Sequence, residues 1–319
     1  MAKLKSERHH WWPEAVSEHW LGLDGCVQRL DPDGQVVGLR PKNVGVITNG
    51  HFIKLNQEPE GASPWDENFE DEFQEADNGF RSLIPWLDSL ERSPRFGMQL
   101  QWRFLAQDAS DAQIATLAEC IISLAARSPL TRRSAVAVAD RVSGGPMSPR
   151  QRNAIIGLNM RHGLRNTLKA VGTSGKFVVL YSPWREFIFG DGFCHTMSHS
   201  GQFGVTSLKI LVPITPNIAV LYARPQAYQS KPRLMTFVLD TNETGILNDV
   251  LQVYAKEQLF YRSEQPEITD AFRVREHMHL SNPRNTVDTL IDAIPGVQPR
   301  DLATYDRLAG LFERPNAVR

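Results

Sequence analysis

Residues 176–189 read KFVVLYSPWREFIF, and at Lys176 the spacing of apolar residues changes. Before Lys176, apolar side chains recur every three or four residues, the period of an amphipathic helix. After it they come in short unbroken runs bounded by turn residues, as in strands buried on both faces. Downstream the candidate strands are 176–182, 185–189, 208–213 (LKILVP), 217–223 (NIAVLYA) and 234–239 (LMTFVL). Helices near 245–262 and 286–294 close this half, and TMSHSGQFG (196–204) reads as a loop.

Upstream, Ser148 or Pro149 opens a helix running to about Lys169, and another covers about 131–142. Between them Ser143-Gly144-Gly145-Pro146 is the best linker candidate. Residues 110–127 predict a helix capped by Ser110 or Asp111, with Ile114, Leu117, Ile121 and Leu124 as its buried stripe. Residues 64–91 predict another, started at Ser63-Pro64, with Trp65, Phe69, Phe73, Phe80, Ile84 and Leu87 in helical register. At the front, 26–40 (CVQRLDPDGQVVGLR) predicts a β-hairpin turning at Asp31-Pro32-Asp33-Gly34. Residues 44–55 predict a strand interrupted at Asn49-Gly50. The order favours an α+β fold: an N-terminal β-hairpin and strand, central helices, and a largely antiparallel C-terminal sheet with closing helices. It is read as one domain over 1–319, with a candidate helical subdomain at about 64–170.

The 319 residues are 41% hydrophobic with a formal net charge of −1. That leaves no overall electrostatic pull toward nucleic acid or an anionic membrane. Cys26, Cys120 and Cys194 are scattered, which argues against a disulfide framework or a thiolate zinc site and fits a reducing cytoplasm. No run approaches the roughly 20 apolar residues of a membrane span, so the expectation is a cytoplasmic protein without a membrane anchor. Charge is nonetheless segregated. Residues 58–77 hold nine acids and no Lys or Arg, whereas 127–169 hold nine Lys or Arg and one acid, Asp140. The basic helices 127–169 are therefore a candidate nucleic-acid surface; the alternative is that the two segments face each other or are solvated faces.

Several short strings could carry chemistry. In His9-His10-Trp11-Trp12-Pro13 an imidazole could serve as acid, base or metal ligand, since it titrates near neutrality; the alternative is a packed arm with satisfied rings. Arg127, ahead of Ser128-Pro129, could hold a phosphate in its fork or simply complement a helix dipole. Asp191, between Gly190 and Gly192, could bind a divalent metal, orient a histidine or form a turn. His195 and His199, and His277 and His279, are weak chelate pairs, and His51 could add a third imidazole. There is no P-loop, G-x-G-x-x-G, G-x-S-x-G or kinase motif, which argues against Walker-type hydrolysis and nicotinamide chemistry.

Taken in order, HHWWP, the hairpin and strand through FIKL, WDENFEDEF, AARSP, FIFGD, LVPITP and LNDVLQVYAKEQLFY resemble the bacterial domain-of-unknown-function family 4238, over about His9 to Tyr261. The chain departs from the family at Trp11 and Trp12, where members often carry Tyr or Val. The family has no established activity. The occurrence of some relatives among phage-defence genes implies a toxic effector or sensor, often a nuclease. The resemblance implies a site at His9, His10, Arg127 and Asp191, with Asn248 and Gln258 as weaker members.

Two functions follow as expectations. One is a nuclease of phage defence that cleaves RNA or DNA, with histidine moving the proton, Arg127 holding the phosphate, and Asp191 orienting the histidine or binding a metal. The other is a non-catalytic sensor that recognises a phage protein or a nucleotide, with Trp65, Trp86 and Trp102 mattering more than the histidines.

Overall fold

The computed structural model describes residues 7–48, 50–53, 67–171, 174–193, 195–200, 205–225, 227–275 and 286–298; within these, the side chains of 149–150, 195–200 and 205–207 are left aside. The described chain opens with β1 (Arg8–His10) and one helical turn, α1 (Glu14–Ser17), which Pro13 precedes. The hairpin follows as β2 (Val27–Leu30) and β3 (Val36–Leu39). Asp31 makes its turn: Oδ1 accepts from the Asp33 and Gln35 amides at 3.0 and 2.8 Å, the local bonding that suits Asp to turns.

The strand expected over 44–55 divides in two. β4 (Val46–Thr48) pairs with β1, whereas β5 (Phe52–Ile53) pairs with β6 (Glu67–Asn68). A turn at Gly50-His51 sends the chain from one sheet to the other. Ahead of β4, Gly45 has φ +64, and a Cβ there would stand 2.5 Å from Trp12 Cβ. Glycine is what lets the two segments touch.

The helix expected over 64–91 begins at Gln74, as α2 (Gln74–Ser89), after β6 and a tight turn at Glu70–Phe73. The reason is competing hydrogen bonds. The His51 carbonyl takes the Phe69 amide, and Asn68 Oδ1 takes that of Glu70, both at 3.0 Å, so these residues are held outside the helix. Ser63, Pro64 and Trp65 lie outside the described residues. After β7 (Leu105–Gln107) comes α3 (Asp111–Arg127), started by a reciprocal capping box between Ser110 and Gln113. From Cys120 to Arg127 every residue of α3 is buried. Pro129, at the first helical position of α4 (Pro129–Val142), turns the chain without losing a needed donor. Then α5 (Pro149–Val171) packs against α3 and α4.

The second half is β8 (Lys176–Tyr181), β9 (Phe189–Gly190), β10 (His195–Ser200), β11 (Val205–Thr215), β12 (Ile218–Ala223) and β13 (Leu234–Val238), then α6 (Thr241–Tyr254), β14 (Leu259–Tyr261), α7 (Asp270–Arg273) and α8 (Thr286–Ala293). Among the described residues, six strands form one sheet in the order β10-β11-β12-β8-β13-β7, antiparallel except for β8 with β13. Every residue of β8, β12 and β13 is buried, which accounts for their unbroken apolar runs. The architecture is α+β.

The strand expected over 185–189 shrinks to Phe189–Gly190, because the Asn248 side chain bonds the Ile188 amide and the Glu186 carbonyl in place of a neighbouring strand. The helix expected over 245–262 runs instead from Thr241, behind an Asp240–Glu243 capping box, to Tyr254. Residues 259–261 leave it to pair with β2 and β9. The backbone expected to loop at 196–200 is strand β10, while Gly201–Gly204 lie outside the described residues. The sheet β3-β2-β14-β9 joins the front of the chain to its second half. Over it the Trp12 ring stacks on Phe189 with centroids 4.1 Å apart, and Trp20 meets Trp12 edge-on. Burial of each such ring stabilises the fold by about 3 kcal/mol, so HHWWP is first an anchor that places His9.

Candidate functional site

His9, on β1, is buried, and its ring lies parallel to that of His51: centroids 5.1 Å apart, planes 2° apart. Its Nδ1 accepts the His51 main-chain N–H at 2.8 Å. A nitrogen that accepts carries no proton, so in the neutral ring the proton is assigned to Nε2. Buried Nε2 makes no hydrogen bond among the described residues; Glu7 Oε2 stands 3.5 Å away, within ion-pair range but too far for a good hydrogen bond.

His51 has the opposite arrangement. Its Nδ1 meets Glu70 Oε2 in a short contact, and its ring rests against Phe73 and Phe69. Burial drives its pKa well below 6.5, with Arg127, His9 and Arg132 pushing the same way. The contact therefore has ion-pair geometry around a neutral ring: Nδ1–H donates to the carboxylate and Nε2 keeps its lone pair. Burial raises the Glu70 carboxyl above 4.5, and His9 and Arg127 partly offset this.

Arg127 is fully buried at the C-terminal end of α3. Its fork grips Asp77 of α2, with Nη1 3.2 Å from Oδ2 and Nη2 in a shorter contact to Oδ1; Nη1 also donates to the His10 carbonyl at 3.3 Å. The guanidinium lies over Phe73. Arg132, one turn into α4, donates to the Gly50 carbonyl at 2.6 Å. The Gly50–His51 peptide is thus held at its C=O by Arg132 and at its N–H by His9. Burial, with no carboxylate partner among the described residues, pushes the Arg132 pKa down to about 10.

Of the expected site residues, the fold gathers His9, His10 and Arg127. His10 is half-buried, bound through Nδ1 to the Val44 carbonyl at 3.2 Å. Asp191 is held in a different network: Oδ2 pairs with Arg133 at 2.7 Å, and the carboxylate accepts the Lys256 and Glu257 amides at 2.8 and 3.2 Å. Its own amide donates to the Gln258 carbonyl, and Asn248 holds the adjoining loop. These three form a second knot that fastens β9 to the turn after α6. The side chains of His195 and His199 are not described, and Asn49, Cys194, His277 and His279 lie outside the described residues.

Sequence reasoning singled out His51 only in passing and missed Glu70, Asp77 and Arg132. The signal available was charge segregation, because the acidic and basic segments meet. Glu67 and Glu72 pair with Arg161 at 2.6 and 2.5 Å, Glu72 with Arg165 at 2.9 Å, and Asp77 with Arg127. The histidines sit at this seam.

Nitrogen and oxygen atoms of His9, His51 and Glu70 lie within 4.8 Å of one another, a spacing a metal could use. The proton placement does not suit it. A ligating imidazole normally donates its second N–H outward, whereas His9 accepts there, and His51 uses Nδ1 for Glu70. The two rings are joined by one hydrogen bond, from the His51 main-chain N–H to His9 Nδ1, and only His51 bonds Glu70. Among the described residues no single helix is long and apolar enough to cross a membrane. No family model, curated protein or solved structure matches the chain.

Proposed function

We propose that the protein is a nuclease that hydrolyses phosphodiester bonds of RNA or DNA, with His51 as the proton-transfer residue. The observation that carries this is the pair of parallel imidazoles fixed in opposite hydrogen-bonding states. His51 presents a lone pair and is backed by Glu70, the arrangement by which a carboxylate orients a base and stabilises its protonated form. It removes a proton from the attacking water, whose oxygen bonds to phosphorus as the bond to the leaving oxygen breaks, and returns that proton to the leaving oxygen. His9, whose Nδ1 already accepts the His51 amide, has Nε2–H left to donate to a phosphate oxygen as negative charge builds. Arg127, committed to Asp77, shapes the field around His51, and a bound phosphate offsets that positive field and makes His51 more basic. His51 and His9 are 1% and 2% exposed, and the outer edge of the cluster is carried by the carboxylates of Glu70 and Asp77, each about a third exposed, so a phosphate reaches the rings only once that edge shifts. The resemblance to family 4238 supports a setting in bacterial phage defence.

The test is incubation of the purified protein with RNA, single-stranded DNA and duplex DNA, with and without a chelator, beside His51→Asn. Cleavage by the wild type that the variant lacks supports the reading. Cleavage that persists in folded His51→Asn, or none by either protein, removes it. A non-catalytic sensor is the second reading, favoured by the exposure of Trp102 (62%) and Trp184 (57%); it predicts binding without turnover.

A further inference from the structure

A cavity of about 200 Å³ opens between Arg92, Pro94, Tyr181, Pro183, Trp184 and Asn217. Its walls are mostly apolar, formed by the Tyr181 ring, the Trp184 indole, two prolines and Val238, with Arg92 and Asn217 as the polar members. Phe96 meets Trp184 edge to face with centroids 5.3 Å apart, and it too is exposed. An exposed aromatic pair at the mouth of a small slot is a costly surface to leave against water. At about 200 Å³ the slot is large enough to admit one nucleobase.

The rim is basic. The Arg92 guanidinium lies 4.4 Å from the Tyr181 ring centroid and bonds Asp88, one helical turn away, in a solvent-exposed pair. Such pairs contribute little and exchange partners readily. Arg95 donates to the Trp102 carbonyl at 3.1 Å and has no carboxylate partner among the described residues. Arg185 passes against Gly245, where an added Cβ would meet its Nη1 at 2.4 Å. Asp88 and Glu91 are the opposing charges nearby; Glu243 is taken by Arg103 and Glu186 by Arg262.

We propose that this slot binds one unpaired base of a single-stranded nucleic acid, stacked on Trp184, with Arg92 and Arg95 on the flanking phosphates. Stacking platforms fringed by arginine are how single strands are held without sequence readout. A paired base cannot enter, because its faces are already covered. The inference rests on the nuclease reading in one respect: it names single strands as the form of substrate. Helix α2 links the two places. Its N-terminal end adjoins Glu70 and its C-terminal end reaches the slot through the Tyr181 hydroxyl, which donates to the Leu87 carbonyl. Sixteen residues at about 1.5 Å each put them about 24 Å apart, a span of several nucleotides.

The experiment uses the full chain, a single-stranded ten-nucleotide DNA, its RNA counterpart and the matching duplex, read by quenching of tryptophan fluorescence and by anisotropy of labelled strands. The expected result is binding of the single strands and much weaker binding of the duplex. Trp184→Ala should weaken single-strand binding about tenfold or more, and Arg95→Gln should weaken it while flattening its salt dependence. Trp184 is a rim residue, so its loss leaves the fold standing; Trp184→Phe, which keeps a stacking face, should retain most of the affinity. Equal binding of single strand and duplex, or unchanged binding by Trp184→Ala, overturns the proposal. So does a dimer that dissociates in Trp184→Ala without any strand binding, which would make the occupant a second copy of the chain. Strand binding without cleavage would keep this inference and remove the nuclease, whereas cleavage indifferent to Trp184 would do the reverse.

Discussion

The ring of His9 accepts the main-chain N–H of His51 while the two imidazoles lie parallel, so one residue orients the backbone of the other and faces its side chain. The two rings therefore answer differently to one substitution. In His51→Asn the amide can still donate to Glu70, but the lone pair at Nε2 is gone; turnover should fall by about a hundredfold or more with circular dichroism unchanged. In His9→Asn the side-chain oxygen can still accept the His51 amide, while the Nε2–H donor is lost; substrate should be processed more slowly, with the pH profile in place. A folded His51→Asn with full activity would remove His51 from the chemistry.

Stability should depend on pH through His51. Its folded pKa lies well below 6.5, so as pH falls the unfolded chain takes up the proton first. Its contribution is present above about 6.5 and is lost as pH drops below that value. Glu70 has the opposite sign: its carboxyl is raised above 4.5, so its burial cost appears as pH rises through and above that value. The charges facing the pair are Asp77, Arg127 and Arg132. Denaturant midpoints of wild type and His51→Asn, compared from about pH 5 to 8, should converge on the acid side. Parallel curves would show that His51 is not the titrating group.

Arg127 and Asp77 should not cost the same to remove. Asp77→Ala strands a fully buried guanidinium and should destabilise by about 3–5 kcal/mol. Arg127→Met leaves a carboxylate that reaches water and should cost less, because solvent screens the remaining charge. Chemical denaturation of the two variants checks the order; the reverse order would mean that Arg127 is hydrated.

Asp191 should behave as a fastener. Asp191→Asn weakens a 2.7 Å ion pair with Arg133 and the bonds from two amides, for a loss of about 2 kcal/mol. Melting temperature should fall while activity per folded molecule holds. A stable Asp191→Asn protein without activity would return Asp191 to the chemistry.

Much of the fold was legible where local rules and tertiary demands agree. Ser110, one of the two caps expected, starts α3, Asp31 turns the hairpin, and the unbroken apolar runs of β8, β12 and β13 lie inside the sheet. The misreadings fall where a distant group takes over a backbone bond. Asn248 satisfies the amide at Ile188, the His51 carbonyl holds Phe69 out of a helix, and β2 pairs with residues 259–261 beyond the end of α6.

The same division runs through the candidate site. Residue type and order alone determined that His9 and Arg127 were chemically unusual, that acid and base were segregated along the chain, and that the fold would be α+β. Only the tertiary structure decided that His51 joins His9, that Glu70 and Asp77 come from the acidic segment to meet them, and that Asp191 pairs with Arg133. Periodicity and capping act over a few residues and can be read from neighbours. A proton's position on an imidazole is set by whichever donor or carboxylate the fold brings within about 3 Å, and here those partners come from 42 and 19 residues away.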